Sequence, residues 1–269
     1  MKGGHSESGH LPFPTIQVAV EEDGHMSLNP IQQLPRLRIP KWIIILLGTL
    51  VAVFAIIQLK AYHTQSVEES RRCDCIMHLK QITLAILSYQ DKYGSLPPAV
   101  TTDSNGVPMH SWRVLILPFL DAADLYEKYD FAEPWNSPHN SRLQEVVDNR
   151  FRCPSCGLEK AETNYVAVTG SGTMWAVIGV AVTDKEMEET SPRVLVVEMP
   201  QMKLNWMEPR DIGVDEAVSI IAHAKEEGRF IHSRGIQYVD TAQRLRVFST
   251  EASASDIKSI LLGSGYEGK

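Results

Sequence analysis

The chain has 269 residues, 43% of them apolar and 7% aromatic, which is enough for an ordinary domain with a real core and excludes a disordered chain. Its 26 basic residues are outnumbered by 33 acidic ones, for a formal charge of -7. No stretch concentrates Lys and Arg as a phosphate-neutralising surface would need, so nucleic acid is not an expected partner.

Residues 1–40 hold five of the 15 prolines, four glycines and a single aromatic residue, Phe13. Such a segment cannot bury enough apolar surface to fold, and a disordered cytoplasmic tail is expected. Residues 41–60 read as a transmembrane helix. Trp42 to Leu59 carries no charge, and only Gly48, Thr49 and Gln58 are not strongly apolar. At 1.5 Å per residue this run covers about 27 Å, close to the roughly 30 Å of bilayer hydrocarbon, and Lys41 and Lys60 can snorkel to the headgroups. A cleaved signal peptide fits poorly, because the leader is too long and no A-x-A-like site follows the apolar run. Arg36, Arg38 and Lys41 crowd the N-terminal flank, whereas Lys60, Arg71 and Arg72 are spread out on the other. This bias places the N-terminus in the cytoplasm, the span in the inner membrane, and residues 61–269 outside as an extracytoplasmic domain.

From Glu68 to Tyr93 there is no Pro or Gly, and Cys75, Leu79, Ile82, Ile86, Tyr89 and Tyr93 recur on one face of an amphipathic helix. Gly94, Pro97 and Pro98 stop it. It either continues the span as one rod or follows it after a bend near 62–66. Asp103 to Pro108 is a turn signal, and Trp112 to Leu120 is an apolar run broken by Pro118. Ser137 and Pro138 open a short helix reaching about Val147. Asn164 to Thr169 and Arg193 to Met199 are β-branched and read as strands, with Gly170, Ser171 and Gly172 as a turn. A helix over Asp215 to Ala224 ends by Gly228. Gly235 to Val239 pairs with Arg244 to Phe248 as a hairpin, and a last helix spans Ser253 to Leu262. The expected fold class is therefore α+β, with the long N-terminal helix packed on an antiparallel sheet.

The four cysteines fall in two close pairs, Cys73 with Cys75 and Cys153 with Cys156. Zinc would need all four, but Cys73 and Cys75 on a helix point about 200° apart and cannot grip one ion together. A redox C-x-x-C lacks a βαβ context. Catalytic patterns are weak. The Gly-Ser loop has neither a following Lys-Ser nor a G-x-S-x-G pattern. His223 and His232 could form an acid–base cluster with Asp240 or Glu198, but nothing in the spacing places them together. Trp112, Trp135, Trp175 and Trp206 read as core or sheet-face anchors. An enzyme is not expected, and neither is a cofactor or a resident metal.

The segments RRCDCIMHLKQITLAILSYQDKYGSLPP (Arg71 to Pro98), HSWRVLILPFLDAADLYEKYDFAEPWNSPHN (His110 to Asn140), FRCPS (Phe151 to Ser155), TNYVAVTGSGT (Thr163 to Thr173) and VLVVEMP to NWMEPRDI (Val194 to Ile212) resemble a bacterial domain-of-unknown-function family. Members of that family look like type II secretion pseudopilins. The resemblance runs over about residues 60–262 and implies a pilin-like fold and a structural or interaction role in the envelope or secretion apparatus. Cys75 and Cys153 match family cysteines, which implies a disulfide between them. Such a bridge would be worth about 4 kcal/mol in the chain-entropy model. Cys73 and Cys156 are extra to the pattern; they could pair with each other, or Cys156 with Cys153. The prepilin junction is absent, because Ile39, Pro40 and Lys41 precede the span and the apolar run has no Glu. Cleavage and filament assembly are therefore not expected. His232 stands at the family's His-x9-Asp-Gly signature, but Ala242 and Gln243 replace the Asp-Gly. The alternative function is a membrane-anchored ligand- or metal-binding domain using the four thiols. Nothing in the sequence sets the oligomeric state.

Overall fold

The computed structural model describes residues 40–146, 149–175, 192–232 and 235–264. Residues 1–39, where the flexible tail is expected, lie outside these, as does Val147. The chain divides into two compact units, Met1–Gln58 and Leu59–Lys269.

The first helix, α1 (Lys41–Tyr93), runs without a break. Its early part is apolar all round and long enough to cross a membrane, with none of that stretch buried. Its later part buries Cys75, Leu79, Ile82, Thr83, Ala85 and Ile86, as the periodicity requires. Tyr93 departs from that expectation. It is exposed, and its ring packs at the helix end beside Tyr89 and Phe119. Gly94, at φ +74, supplies the left-handed residue that ends the helix.

A hairpin of β1 (Val100–Thr102) and β2 (Pro108–Ser111) follows. Asp103 Oδ1 accepts the N–H groups of Asn105 and Val107 and so closes its turn. Pro118 splits the next apolar run into α2 (Trp112–Leu115) and a 3₁₀ turn at Leu117–Phe119, before α3 (Ala123–Lys128). The helix expected after Ser137 forms as a 3₁₀ helix over Asn140–Val146. The Asn140 N–H donates to Ser137 Oγ, so the serine does cap it.

Short strands come next: β3 (Glu162–Thr163), β4 (Tyr165–Val166) and β5 (Val168–Thr169). The single strand expected over 164–169 is thus broken at Ala167, whose N–H donates instead to Asp211. After them stand β6 (Val194–Glu198), β7 (Leu204–Asn205), β8 (Ile212–Gly213) and α4 (Val214–Glu226). The chain closes with β9 (Ile236–Asp240), β10 (Leu245–Phe248) and α5 (Ala254–Leu261). Ser253 and Asp256 form a capping box at the start of α5.

The main sheet is antiparallel, in the order β10-β9-β6-β4. Both of its faces are covered, so every residue of β6 is buried. Val194 and Val197 point into one core with Ala217 and Ile221 of α4 and Ile257 and Leu261 of α5. Leu195 and Val196 point into the other, with Leu79, Ile82 and Ile86 of α1 and Trp112 and Trp206. An irregularity between Val194 and Val196 accounts for two successive side chains on one face. Alternation then returns the next residue but one, Glu198, to the α1 side.

Candidate functional site

Four of the residues singled out in the sequence converge there, or next to it. The helical period that buries Cys75 turns Cys73 outward, and Cys73 is exposed. Cys153 follows a 3₁₀ turn at Asn149–Phe151 and begins the loop Cys153-Pro154-Ser155-Cys156. Pro154 and a Cys156 N–H to Cys153 carbonyl bond of 3.2 Å fold that loop tightly. Asn164, fully buried, fastens it. Its Oδ1 accepts the Cys153 N–H at 3.2 Å and its Nδ2 donates to Cys156 Sγ at 3.2 Å.

Cys75 Sγ and Cys153 Sγ lie 2.6 Å apart. No disulfide joins the four cysteines in this structure. The structure therefore brings together the pair that the family resemblance singles out, sets Cys156 beside it, and leaves Cys73 outside.

Two residues distant along the chain complete the cluster. His232, in a bridge with Gly235, places Nε2 3.6 Å from Cys153 Sγ and 3.4 Å from Glu198 Oε1. Its other nitrogen, Nδ1, lies 3.0 Å from Glu68 Oε1. Ser155 Oγ donates to both oxygens of the same carboxylate at 3.1 Å. Glu198 is wholly buried, and neither of its oxygens has a hydrogen-bond partner among the described residues. The donor atoms of Cys75, Cys153, Glu198 and His232 all lie within 4.8 Å of one another. One cleft, of ≈ 370 Å³, reaches the loop; Asp74, His78, Arg152 and Cys153 line it.

The electrostatics follow from this packing. Hydrogen bonds from the Cys156 and Cys75 thiols hold the Cys153 thiol far below its ordinary value, making it the thiolate of the group. The same contacts with Cys153, together with burial, push Cys75 and Cys156 up. Burial pushes the Glu198 carboxyl up to about 7, against the pull of His232. For His232 burial acts downward, but its contacts with Cys153 and Glu198 and their charges outweigh it, raising the imidazole to about 10. The cluster thus combines thiolate, thiol, carboxylate and imidazole, shielded from water. Its donor set suits a borderline-soft divalent ion or an internal ion pair.

The other half of the imagined acid–base cluster is elsewhere. His223 pairs with Glu227 on the surface of α4 at 3.4 Å. Asp240 is held by Arg244 and Arg246 at 2.9 and 3.2 Å. Trp112, Trp175 and Trp206 are buried anchors, and Trp135 is half-buried. In the turn where Ala242 and Gln243 stand in place of Asp-Gly, Gln243 adopts φ +60, and Asp240 Oδ1 accepts the N–H groups of Ala242 and Arg244.

Sequence reasoning passed over Glu68, Asn164 and the buried pair Arg113–Asp211. The last was signalled by a charged residue inside the apolar run after Trp112. No curated protein and no solved structure matches the chain. Residues 65–193, which carry Glu68, Cys75 and Cys153 but neither Glu198 nor His232, match the model of a family described as a protein of unknown function (DUF1559).

Proposed function

We propose that the chain is a single-span membrane protein whose larger unit serves as a non-enzymatic structural or interaction module of the bacterial cell envelope. The observation that carries this reading is the outer surface of α1 between Trp42 and Leu59. There Trp42, Ile45, Val51, Phe54 and Leu59 each leave more than half of their surface uncovered. An apolar band of that length is stable in lipid and a liability in water. The closer crowding of Arg and Lys on its N-terminal flank favours a cytoplasmic tail and an extracytoplasmic domain. The family resemblance supports an envelope or secretion-associated role. The missing Glu in the apolar run argues against polymerisation. Burial of the thiols, carboxylate and imidazole favours a structural over a catalytic role for them.

The exposed Cys73 is a native topology probe. In intact cells a membrane-impermeant maleimide should label the wild-type chain and not C73S, and the chain should resist carbonate extraction. Labelling that appears only after lysis would reverse the orientation. Cross-linked affinity capture that enriches no envelope or secretion protein over an unrelated single-span control would remove the proposed role.

A further inference from the structure

We propose that Cys75, Cys153, Glu198 and His232 form a closed four-ligand site for one zinc-class divalent ion. The proposal stands apart from the envelope role and holds with or without a partner protein.

The first argument is the orphaned acid. Glu198 sits with no exposed surface and no hydrogen bond to either oxygen among the described residues, beside two buried cysteine sulfurs. Removing a carboxylate from water without a partner for its oxygens is expensive unless a cation joins it. His232 alone, 3.4 Å from one oxygen, leaves the other carboxylate oxygen without a partner among the described residues. A divalent ion would bond to the carboxylate, the imidazole and both sulfurs at once.

The second argument is geometry. A tetrahedral zinc ion with Zn–S near 2.3 Å and Zn–N near 2.0 Å holds its ligand atoms roughly 3.3–3.8 Å apart. The 3.6 Å from His232 Nε2 to Cys153 Sγ and the 3.4 Å to Glu198 Oε1 already fall in that range. The sulfurs, at 2.6 Å, must open by about 1 Å, within reach of a rotation of the Cys75 or Cys153 side chain, and all four donor atoms lie within 4.8 Å of one another.

The third argument is the outer layer. Glu68 accepts the His232 Nδ1 proton at 3.0 Å, which fixes the tautomer that presents the Nε2 lone pair inward. Ser155 orients Glu68 through its hydroxyl and offers its N–H to Cys153 Sγ at 3.4 Å. A carboxylate behind a ligand imidazole and an N–H behind a ligand sulfur are the supports a metal ligand set needs. On binding, the ion displaces the protons held by the ligand thiols, which pass to solvent; no electrons move. The cleft lined by Cys153 is the side from which an ion would approach. With four protein donors and no open position, the ion would be structural, tying α1, the Cys153 loop, β6 and the start of the last hairpin together.

The test uses the full chain in detergent, purified with reductant and without chelator. Zinc content by mass spectrometry should be one ion per chain. After removal of zinc, Co²⁺ should give one-to-one binding with the intense visible bands of tetrahedral cobalt and a thiolate-to-cobalt charge-transfer band. C153S and H232A should lower affinity at least about tenfold, and C73S should leave it unchanged. The wild-type cobalt spectrum decides even if a variant fails to fold. Absence of stoichiometric Zn²⁺ and Co²⁺ binding in protein whose thiols titrate as reduced would overturn the site. So would isolation of the chain from cells with Cys75 and Cys153 joined as a disulfide, or an unchanged cobalt spectrum in H232A.

Discussion

Replacing Arg113 with methionine tests the reading of the larger unit's core most directly. The guanidinium is fully buried and makes four bonds: Nε and Nη2 to the Tyr165 carbonyl at 3.1 and 2.9 Å, Nη1 to Ser111 Oγ at 2.9 Å, and Nη2 to Asp211 Oδ1 at 2.8 Å. Asp211 also accepts from Trp112 Nε1 at 3.1 Å and from the Ala167 N–H at 2.8 Å. Methionine refills most of the volume but leaves two buried acceptors short of donors, the Tyr165 carbonyl and the Asp211 carboxylate. Each orphan costs about 1–3 kcal/mol, and breaking a buried pair from one side costs about 3–5 kcal/mol, so the two routes agree. With a urea slope of about 2–3 kcal/mol/M, the unfolding midpoint should fall by about 1–2 M. Intrinsic tryptophan fluorescence of the full chain in detergent reads this, because Trp112 stacks under Arg113 and lies 5.7 Å from Trp175. Burial already pushes the Asp211 carboxyl up, and Arg113 opposes it. Without Arg113 the folded carboxyl takes up a proton more readily than the unfolded one, so the deficit should narrow as pH falls from about 7.5 to about 5.5. R113M/D211N should lose less than the sum of the two single variants, by about 0.5–3 kcal/mol. A midpoint shift under about 0.5 M, or strict additivity, would refute the reasoning.

Three further outcomes are expected. Gln243 holds a left-handed backbone at φ +60 in the exposed turn between β9 and β10, so Gln243→Gly should raise stability by about 0.5–1 kcal/mol in urea melts; a loss would show that the strain is not there. Gly235 sits at φ +113, where an added Cβ would overlap the Phe248 carbonyl and the Val247 side chain, so Gly235→Ala should cost more than about 2 kcal/mol and disturb β9–β10 pairing, visible as faster amide exchange in that hairpin. His110 is buried, with Nε2 donating to the Phe131 carbonyl at 3.1 Å and Nδ1 accepting from Tyr129 at 2.9 Å, and burial lowers its pKa. Above about pH 6.5 both states are neutral there and its contribution is intact; below it the unfolded chain takes up a proton the folded one resists, so stability falls. Comparing urea midpoints at about pH 7.5 and about pH 5.5, the wild type should lose more than His110→Gln, and equal losses would contradict the assignment.

The sequence by itself determined which parts of each element meet apolar surroundings. The charge-free run after Lys41, the stripe through Cys75, Leu79, Ile82 and Ile86, the last helix and the last hairpin all stand in the structure where local pattern put them. Periodicity says that a face is buried and not what buries it. It therefore set Cys75 inward and Cys73 outward, and it could not say that Cys75 would meet Cys153, 78 residues away, or that Glu68 would meet His232 across 164 residues. Those meetings depend on how the strands order themselves in the sheet, which is decided by the packing of two cores against its faces. Glu198 shows the limit most clearly. In the sequence it is one acid at the end of an apolar strand, and only the irregularity in β6 and the pairing with β9 turn it toward α1, where an unsatisfied carboxylate beside thiols and an imidazole becomes a site.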